Sequence, residues 1–337
     1  MHTLVGLLII AVGSFFQSSS YVPINKVRDW SWESFWLVQG LFAWILFPLG
    51  GALLAVPEGH SLGSVLGADP AAALRAAGYG VLWGVGGLTF GLSMRYLGVA
   101  LGQSLSLGTC AAFGTLLPAL LTGTDLFTGP GLILLLGVCI TLAGIAVIGY
   151  AGSLRARNLS AEEQHAAIRD FALTKGVLVA LLAGVMSACF NLGLEAGRPL
   201  RIEGVNPLFA TLPATMAVTF GGFLTNALYC LFRNARNRSF GDYAKRPVLL
   251  RNILLCALAG ALWYSQFFAF GVGQSFFEPG TVVAAFAWCI LMALNVTFSN
   301  LWGILLREWR GASPRTIVVL VAGLLLLIFS LVFPNLC

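Results

Sequence analysis

The side chains able to do chemistry in this sequence are few, and most carry no charge. Gln17 and Ser18, followed by Ser19 and Ser20, interrupt the first long apolar run; Asn191 stands in the sixth, Gln266 in the eighth, and Asn295 and Asn300 in the ninth. Trp263, Tyr264 and Trp288 lie in the same apolar runs and offer ring faces. Amides bond hydroxyls, and an aromatic platform covers a C–H face. That is sugar-like chemistry. Each amide alone also suits an interhelical hydrogen bond. As a group they fall on the first helix of each half and on the third and fourth helices of the second.

What is missing narrows the chemistry further. The thirteen acids lie in loops or near the ends of apolar runs, and the basic residues do the same. Charge inside a bilayer is costly and marks function where it occurs. A cationic-drug exporter would hold a buried carboxylate, and a carrier of phosphorylated sugars would need Lys or Arg. A neutral solute fits better. An enzyme would need a nucleophile, an acid/base pair or metal ligands at membrane depth, and no such constellation occurs. His2, His60 and His165 fall outside the apolar runs, and the seven cysteines are scattered without a CxxC. This leaves no disulfide framework, metal site or cofactor site. Gly84-Val85-Gly86-Gly87 is no phosphate loop, because it lies in an apolar run and no GKS or GKT follows anywhere.

The elements that must position these groups are membrane helices. Of 337 residues, 58% are apolar and 9% charged, with a mean hydropathy of +0.89. A soluble domain carries about 25% charged residues. Spans of roughly 20 apolar residues fall at about 3–24, 33–55, 72–95, 99–121, 130–151, 175–195, 207–231, 250–272, 280–305 and 315–334. Asp69-Pro70 should cap and open the third. Ser160 and Glu163 have capping-box spacing, which predicts a short surface helix in the middle loop. Only His2 precedes the first span, so it reads as a retained helix rather than a cleaved signal peptide.

Lys and Arg orient the chain. The loops after spans one, three, five, seven and nine, with the span ends beside them, hold 16 of the 19 basic residues; the alternate loops hold Arg75, Arg198 and Arg201. This positive-inside bias makes the odd loops cytoplasmic and puts both termini on the periplasmic side. The net charge of +6 is therefore a topology signal, and nucleic acid is not an expected partner. Trp30, Trp32, Trp36 and Trp309 mark the cytoplasmic interface.

The chain also looks doubled. Gly80-Val81-Leu82-Trp83 with Phe90-Gly91 matches Gly260-Ala261-Leu262-Trp263 with Phe270-Gly271 at one offset of 180. Five helices per copy is an odd number, so the second copy enters the membrane inverted. The expected fold is an all-α polytopic membrane protein of ten transmembrane helices, arranged as two inverted five-helix repeats. Residues 1–151 form the first repeat, 152–174 a cytoplasmic linker and 175–337 the second repeat. Gly80, Gly84, Gly87 and Gly91 make a stripe on one helix face, which admits a neighbouring backbone or leaves room for substrate.

Tyr21-Val22-Pro23 with Lys26-Val27 and Trp30-Ser31-Trp32-Glu33, the run Gly91 to Gly98, Trp263-Tyr264 with Gln266-Phe267-Phe268, and Arg307-Glu308-Trp309 form a distinctive set. Together they resemble the L-rhamnose–proton symporter family of the drug/metabolite transporter superfamily. The similarity runs in order over essentially the whole chain. It implies uptake of L-rhamnose, a 6-deoxy-hexose, with protons across a bacterial inner membrane by alternating access. The partners are then a small neutral sugar, a coupling cation and the lipid bilayer. The family pattern places an acid early in span nine, where this chain reads Thr281 to Trp288 without one. That leaves Glu195 and Glu278 as proton-coupling candidates. Sodium coupling, or uncoupled transport or export of another small neutral metabolite on the same fold, is the alternative.

Overall fold

A computed structural model describes residues 2–97, 99–157, 172–200, 204–307 and 309–335. The described residues are helical, with no strand among them. We label the helices α1 (His2–Ser19), α2 (Tyr21–Ile24), α3 (Trp32–Gly40), α4 (Phe47–Leu53), α5 (Leu62–Leu66), α6 (Pro70–Leu97) and α7 (Val99–Leu121). There follow α8 (Gly129–Arg157), α9 (Leu173–Ala196), α10 (Leu212–Asn237), α11 (Arg246–Gln274), α12 (Val282–Leu305) and α13 (Pro314–Val332). The capping box expected at Ser160 and Glu163 lies outside the described residues.

Nine helical stretches among the described residues are long and apolar enough to cross a membrane: His2–Ile24, Trp32–Leu53, Leu101–Leu121, Gly129–Arg155, Leu173–Ala196, Pro207–Asn237, Arg246–Gln274, Val282–Leu305 and Pro314–Val332. These coincide with nine of the ten expected spans. The tenth, at about 72–95, is helical as α6. It is 28 residues long, or roughly 42 Å at the α-helical rise, but its glycines with Arg75 and Arg95 dilute its hydropathy. Its start is as expected. Asp69 Oδ1 accepts the Ala72 N–H at 2.8 Å, just ahead of Pro70.

The chain packs as two compact units, Met1–Gly84 with Leu192–Phe276, and Val85–Asn191 with Phe277–Cys337. In the first, α1 lies along α11, with Gly13 against Ser265 and Ala269. The α6–α10 crossing is closer still. A methyl placed on Gly80 would collide with the Val218 carbonyl, and one on Gly221 with the Ala77 carbonyl. Small residues let two backbones approach where the bilayer offers no hydrophobic drive for association. Only part of the glycine stripe does this. Gly84 also meets α10, at Thr225, whereas a methyl on Gly87 or Gly91 would meet nothing within 4 Å among the described residues.

In the second unit α8 packs on α7 and α13, and α12 packs on α7, α8 and α13. Ile145, Ile148, Ala293, Val296, Leu320, Leu324 and Leu327 close its core. Ser313 Oγ caps α13 by accepting the Thr316 N–H at 3.2 Å.

A polar network ties the loop after α2 to the turn before α11, within the first unit. Asp242 accepts from Lys245 Nζ at 2.7 Å, from the Ser31 N–H at 2.7 Å and from Ser34 Oγ at 2.8 Å. Desolvation alone would raise its carboxyl, but the bonds from Lys245, Ser31 and Ser34 outweigh it and hold the group at about 2, below its ordinary 3.8. The folded pKa is depressed, so this stabilisation is complete above the unfolded value and is lost as pH falls toward the folded one. The melting temperature should thus lose Asp242's contribution progressively below about pH 4. Asp242→Asn should cost about 1–3 kcal/mol at neutral pH, read by thermal melting in detergent.

Candidate functional site

The second span is not a uniform α-helix. Between α3 and α4, Leu41–Leu46 winds as a π-helix, a geometry that recurs at functional sites. Trp44 sits on this turn, 4% exposed, and meets three other indoles edge-on. Its ring centroid is 5.6 Å from Trp36, 5.9 Å from Trp83 and 5.7 Å from Trp263. Trp83 of α6 and Trp263 of α11 lie 5.8 Å apart at 34°, both half-buried. Phe267 closes the cluster 5.2 Å from Trp263. These spacings are those of favourable aromatic pairs.

Hydrogen bonds fix one side of this wall. Trp36 Nε1 donates to Asn226 Oδ1 at 3.0 Å. The Asn226 amide nitrogen donates in turn to the Gly222 carbonyl at 2.9 Å and the Gly84 carbonyl at 3.4 Å. The other side is unspent. Trp44 Nε1 and Gln39 Oε1 are buried without a partner among the described residues. An unsatisfied buried donor and acceptor call for a ligand or ordered water. The half-exposed faces of Trp83 and Trp263 beside Trp44 can take the C–H face of a small polar solute.

The residues singled out from sequence fall into separate groups. Trp263 is in this wall. Its neighbour Tyr264 is 5% exposed, with its hydroxyl unpartnered and directed at Gly51. Tyr264 helps line a shallow cavity of about 320 Å³ with Phe47, Gly50, Leu54 and Phe268. Gln266 Nε2 donates to the Trp263 carbonyl of its own helix at 3.2 Å. On α1, Ser18 Oγ donates to Gln17 Oε1 at 3.3 Å.

Asn191 and Trp288 belong to the second unit, where α7 brings them together. Asn191 Nδ2 donates to the Gly114 carbonyl at 2.8 Å, and Trp288 Nε1 donates to the Cys110 carbonyl at 3.2 Å. Phe190 stacks on Trp288 at 5.9 Å, and Gly114 leaves the indole its space. Asn295 lies two helical turns further along α12. Glu195 is paired with Arg198 at 2.7 Å, and Glu278 is exposed.

Sequence reasoning missed Trp36, Gln39, Trp44 and Trp83 as candidate site residues, and ranked Asn226, with Tyr21, below the other polar groups because both sit nearer the cytoplasmic ends. One signal was present, since Trp83 and Trp263 stand at the offset of 180 that the sequence comparison picked out.

Comparison with known proteins assigns the family. The sequence model of the L-rhamnose-proton symport protein (RhaT) family matches residues 2–336. An L-rhamnose-proton symporter of Cronobacter sakazakii is 32% identical over 336 residues, covering 96% of this chain and 95% of that protein. Proteins of the same name from Yersinia pestis and Yersinia pseudotuberculosis are 31% identical over 339 residues, covering 97% of this chain and 96% of each. A match over nearly every residue, at this identity, means that the chain belongs to the L-rhamnose-proton symport protein family.

Proposed function

We propose that this protein imports L-rhamnose, or a closely related neutral deoxy-sugar, together with a proton, by alternating access in a bacterial inner membrane. The observation that carries this reading is the family match over residues 2–336. The geometry agrees with it. A 6-deoxy-hexose has a methyl group and a C–H face for the Trp83 and Trp263 rings, and hydroxyls for Trp44 Nε1 and Gln39 Oε1. Gln17, Ser18, Tyr264 and Gln266 extend the same set. Asn191, Trp288 and Asn295 are the weaker members, because Asn191 and Trp288 each donate to a backbone carbonyl of α7.

Ten transmembrane helices in two inverted repeats, 1–151 and 175–337 joined by a linker over 152–174, remain our reading of the architecture. Reciprocal packing in the first unit supports it. The third helix of the first copy meets the second helix of the other, at Gly80 and Val218. The third helix of the second copy meets the second helix of the first, at Gly260 and Ala43. Trp83 and Trp263, equivalent in this reading, also touch, with ring centroids 5.8 Å apart, as a pair near the axis relating two inverted copies would. The drug/metabolite transporter superfamily and periplasmic termini belong to the same proposal, the latter resting on the positive-inside bias.

The test is radiolabelled L-rhamnose uptake into proteoliposomes under an inward proton gradient, an inward sodium gradient, or neither. Accumulation under the proton gradient alone is expected. Accumulation only with sodium would keep the sugar and replace the ion, and equilibration alone would make the protein a facilitator. No entry under any condition would remove the substrate.

A further inference from the structure

Proton-coupled transport needs a group that gains and loses a proton at tolerable cost in both states. Glu33, at the start of α3, is 3% exposed and lies within the Trp32–Leu53 membrane stretch. A carboxylate so placed is costly unless it is paired or hydrogen-bonded. No cation lies within ion-pairing distance of it among the described residues. Glu195 has Arg198, and Asp242 has Lys245. Glu33 has hydrogen bonds instead. Its Oε1 accepts from Asn237 Nδ2 at 2.7 Å and from Ser239 Oγ at 3.0 Å.

The Ser239 contact can reverse. The same hydroxyl lies 3.0 Å from Asn234 Oδ1, so its single hydrogen serves either Glu33 or Asn234. Beyond Asn234 stands Ser34 Oγ, 3.0 Å from Asn234 Oδ1 and 2.8 Å from Asp242 Oδ2, which again has two acceptors for one hydrogen. With Glu33 ionised, Ser239 donates to it. With Glu33 protonated on Oε1, the Ser239 hydrogen turns to Asn234 and the carboxyl donates to Ser239 Oγ. No group is orphaned in either state. One proton enters and one leaves, with only hydroxyl rotations between.

We propose that Glu33 is the residue that carries the coupling proton, with Ser239 and Asn234 as its switching partners. The proposal rests on the proton-symport reading above and names the group that performs it. The titratable and charged groups facing it are Arg233 and Cys230 on α10. Asp242, Tyr243 and Lys245 of the following turn lie at the far end of the Ser34 and Asn234 relay.

Two measurements test it. Melting the purified proteins across about pH 3–8 reads Glu33 without any sugar. Beyond the fall at low pH that Asp242 gives every variant, the wild type should show a pH-dependent step that Glu33→Gln lacks and that Glu58→Gln, on an exposed loop, keeps. In proteoliposomes, Glu33→Gln should exchange labelled for unlabelled rhamnose within about twofold of wild type yet fail to concentrate it on a proton gradient, a loss of about tenfold or more in accumulation. A step retained by Glu33→Gln overturns the assignment. So does proton-driven accumulation by Glu33→Gln, or its loss in Glu195→Gln or Glu278→Gln with Glu33→Gln intact. Wild-type protein that shows the step but never accumulates rhamnose overturns the symport reading instead. Should Glu33→Gln not fold, Ser239→Ala replaces it. Removing the switching hydroxyl should move the midpoint of the step by about half a pH unit or more, and an unmoved midpoint counts against the proposal.

Discussion

Gly80→Ala should lose most of its folded protein in mild detergent, while Gly87→Ala, two turns further along α6, should be recovered like wild type. The two substitutions are chemically identical and both replace glycine in one transmembrane-length helix. In an isolated helix each would be favourable by up to about 1 kcal/mol. They differ in what the new methyl meets. At Gly80 it would overlap the Val218 carbonyl, which is main chain and cannot rotate away; at Gly87 nothing lies within 4 Å among the described residues. Forcing α6 and α10 apart would also open the Gly221 contact with Ala77. We therefore expect a cost of about 3 kcal/mol for Gly80→Ala, at the upper end of overpacking penalties. The check is thermal melting with size-exclusion recovery of both variants side by side. Equal melting temperatures would mean that the α6–α10 crossing is looser than described.

Trp263→Ala should weaken rhamnose binding by at least about tenfold, equivalent to 1.4 kcal/mol, with a small change in melting temperature. The indole is half-buried rather than sealed in the core, so its removal costs less packing than a buried tryptophan would. Its loss takes away one face of the wall and uncovers Trp83 and Trp44. Trp263→Phe keeps a ring and should retain most of the affinity; Trp83→Ala should resemble Trp263→Ala. Trp288→Ala offers the contrast. Trp288 is buried against Phe190, Cys110 and Gly114, so stability should fall more than with Trp263→Ala. Binding measured by calorimetry, beside melting curves, separates the two cases. Undiminished affinity in Trp263→Ala would remove the aromatic wall from the binding site.

These expectations show what was legible in the residues. Nine of the spans needed only length and hydropathy, and Asp69-Pro70 marked the start of α6 by itself. The nature of the chemistry was legible too, because a bilayer makes every polar residue conspicuous. The location of the site was less so. Trp44 and Trp36 sit among apolar and interfacial neighbours where tryptophan is ordinary. The π-helical turn that carries Trp44 depends on a shift in backbone hydrogen bonding that side-chain periodicity does not encode. Asn191 and Gln266 stood out because they interrupt apolar runs; each gives an amide N–H to a backbone carbonyl, and both remain in the proposed binding set. Glu33 was hidden for a third reason. From its position it was one more acid at a span end, and only the fold of the 234–245 segment over it makes it a buried one.

The tryptophan chain has an optical consequence. Trp32, Trp36, Trp44, Trp83 and Trp263 follow one another with centroids 5.4 to 5.9 Å apart. At such spacing indole excited states are not independent. Excitation should migrate among the five rings before emission, and coupling of the intense indole transition should give paired bands of opposite sign in the far-ultraviolet circular dichroism. A ligand that perturbs one ring perturbs the shared signal. The protein thus carries its own spectroscopic reporter in the place where the sugar is expected to bind, without a label or an introduced cysteine.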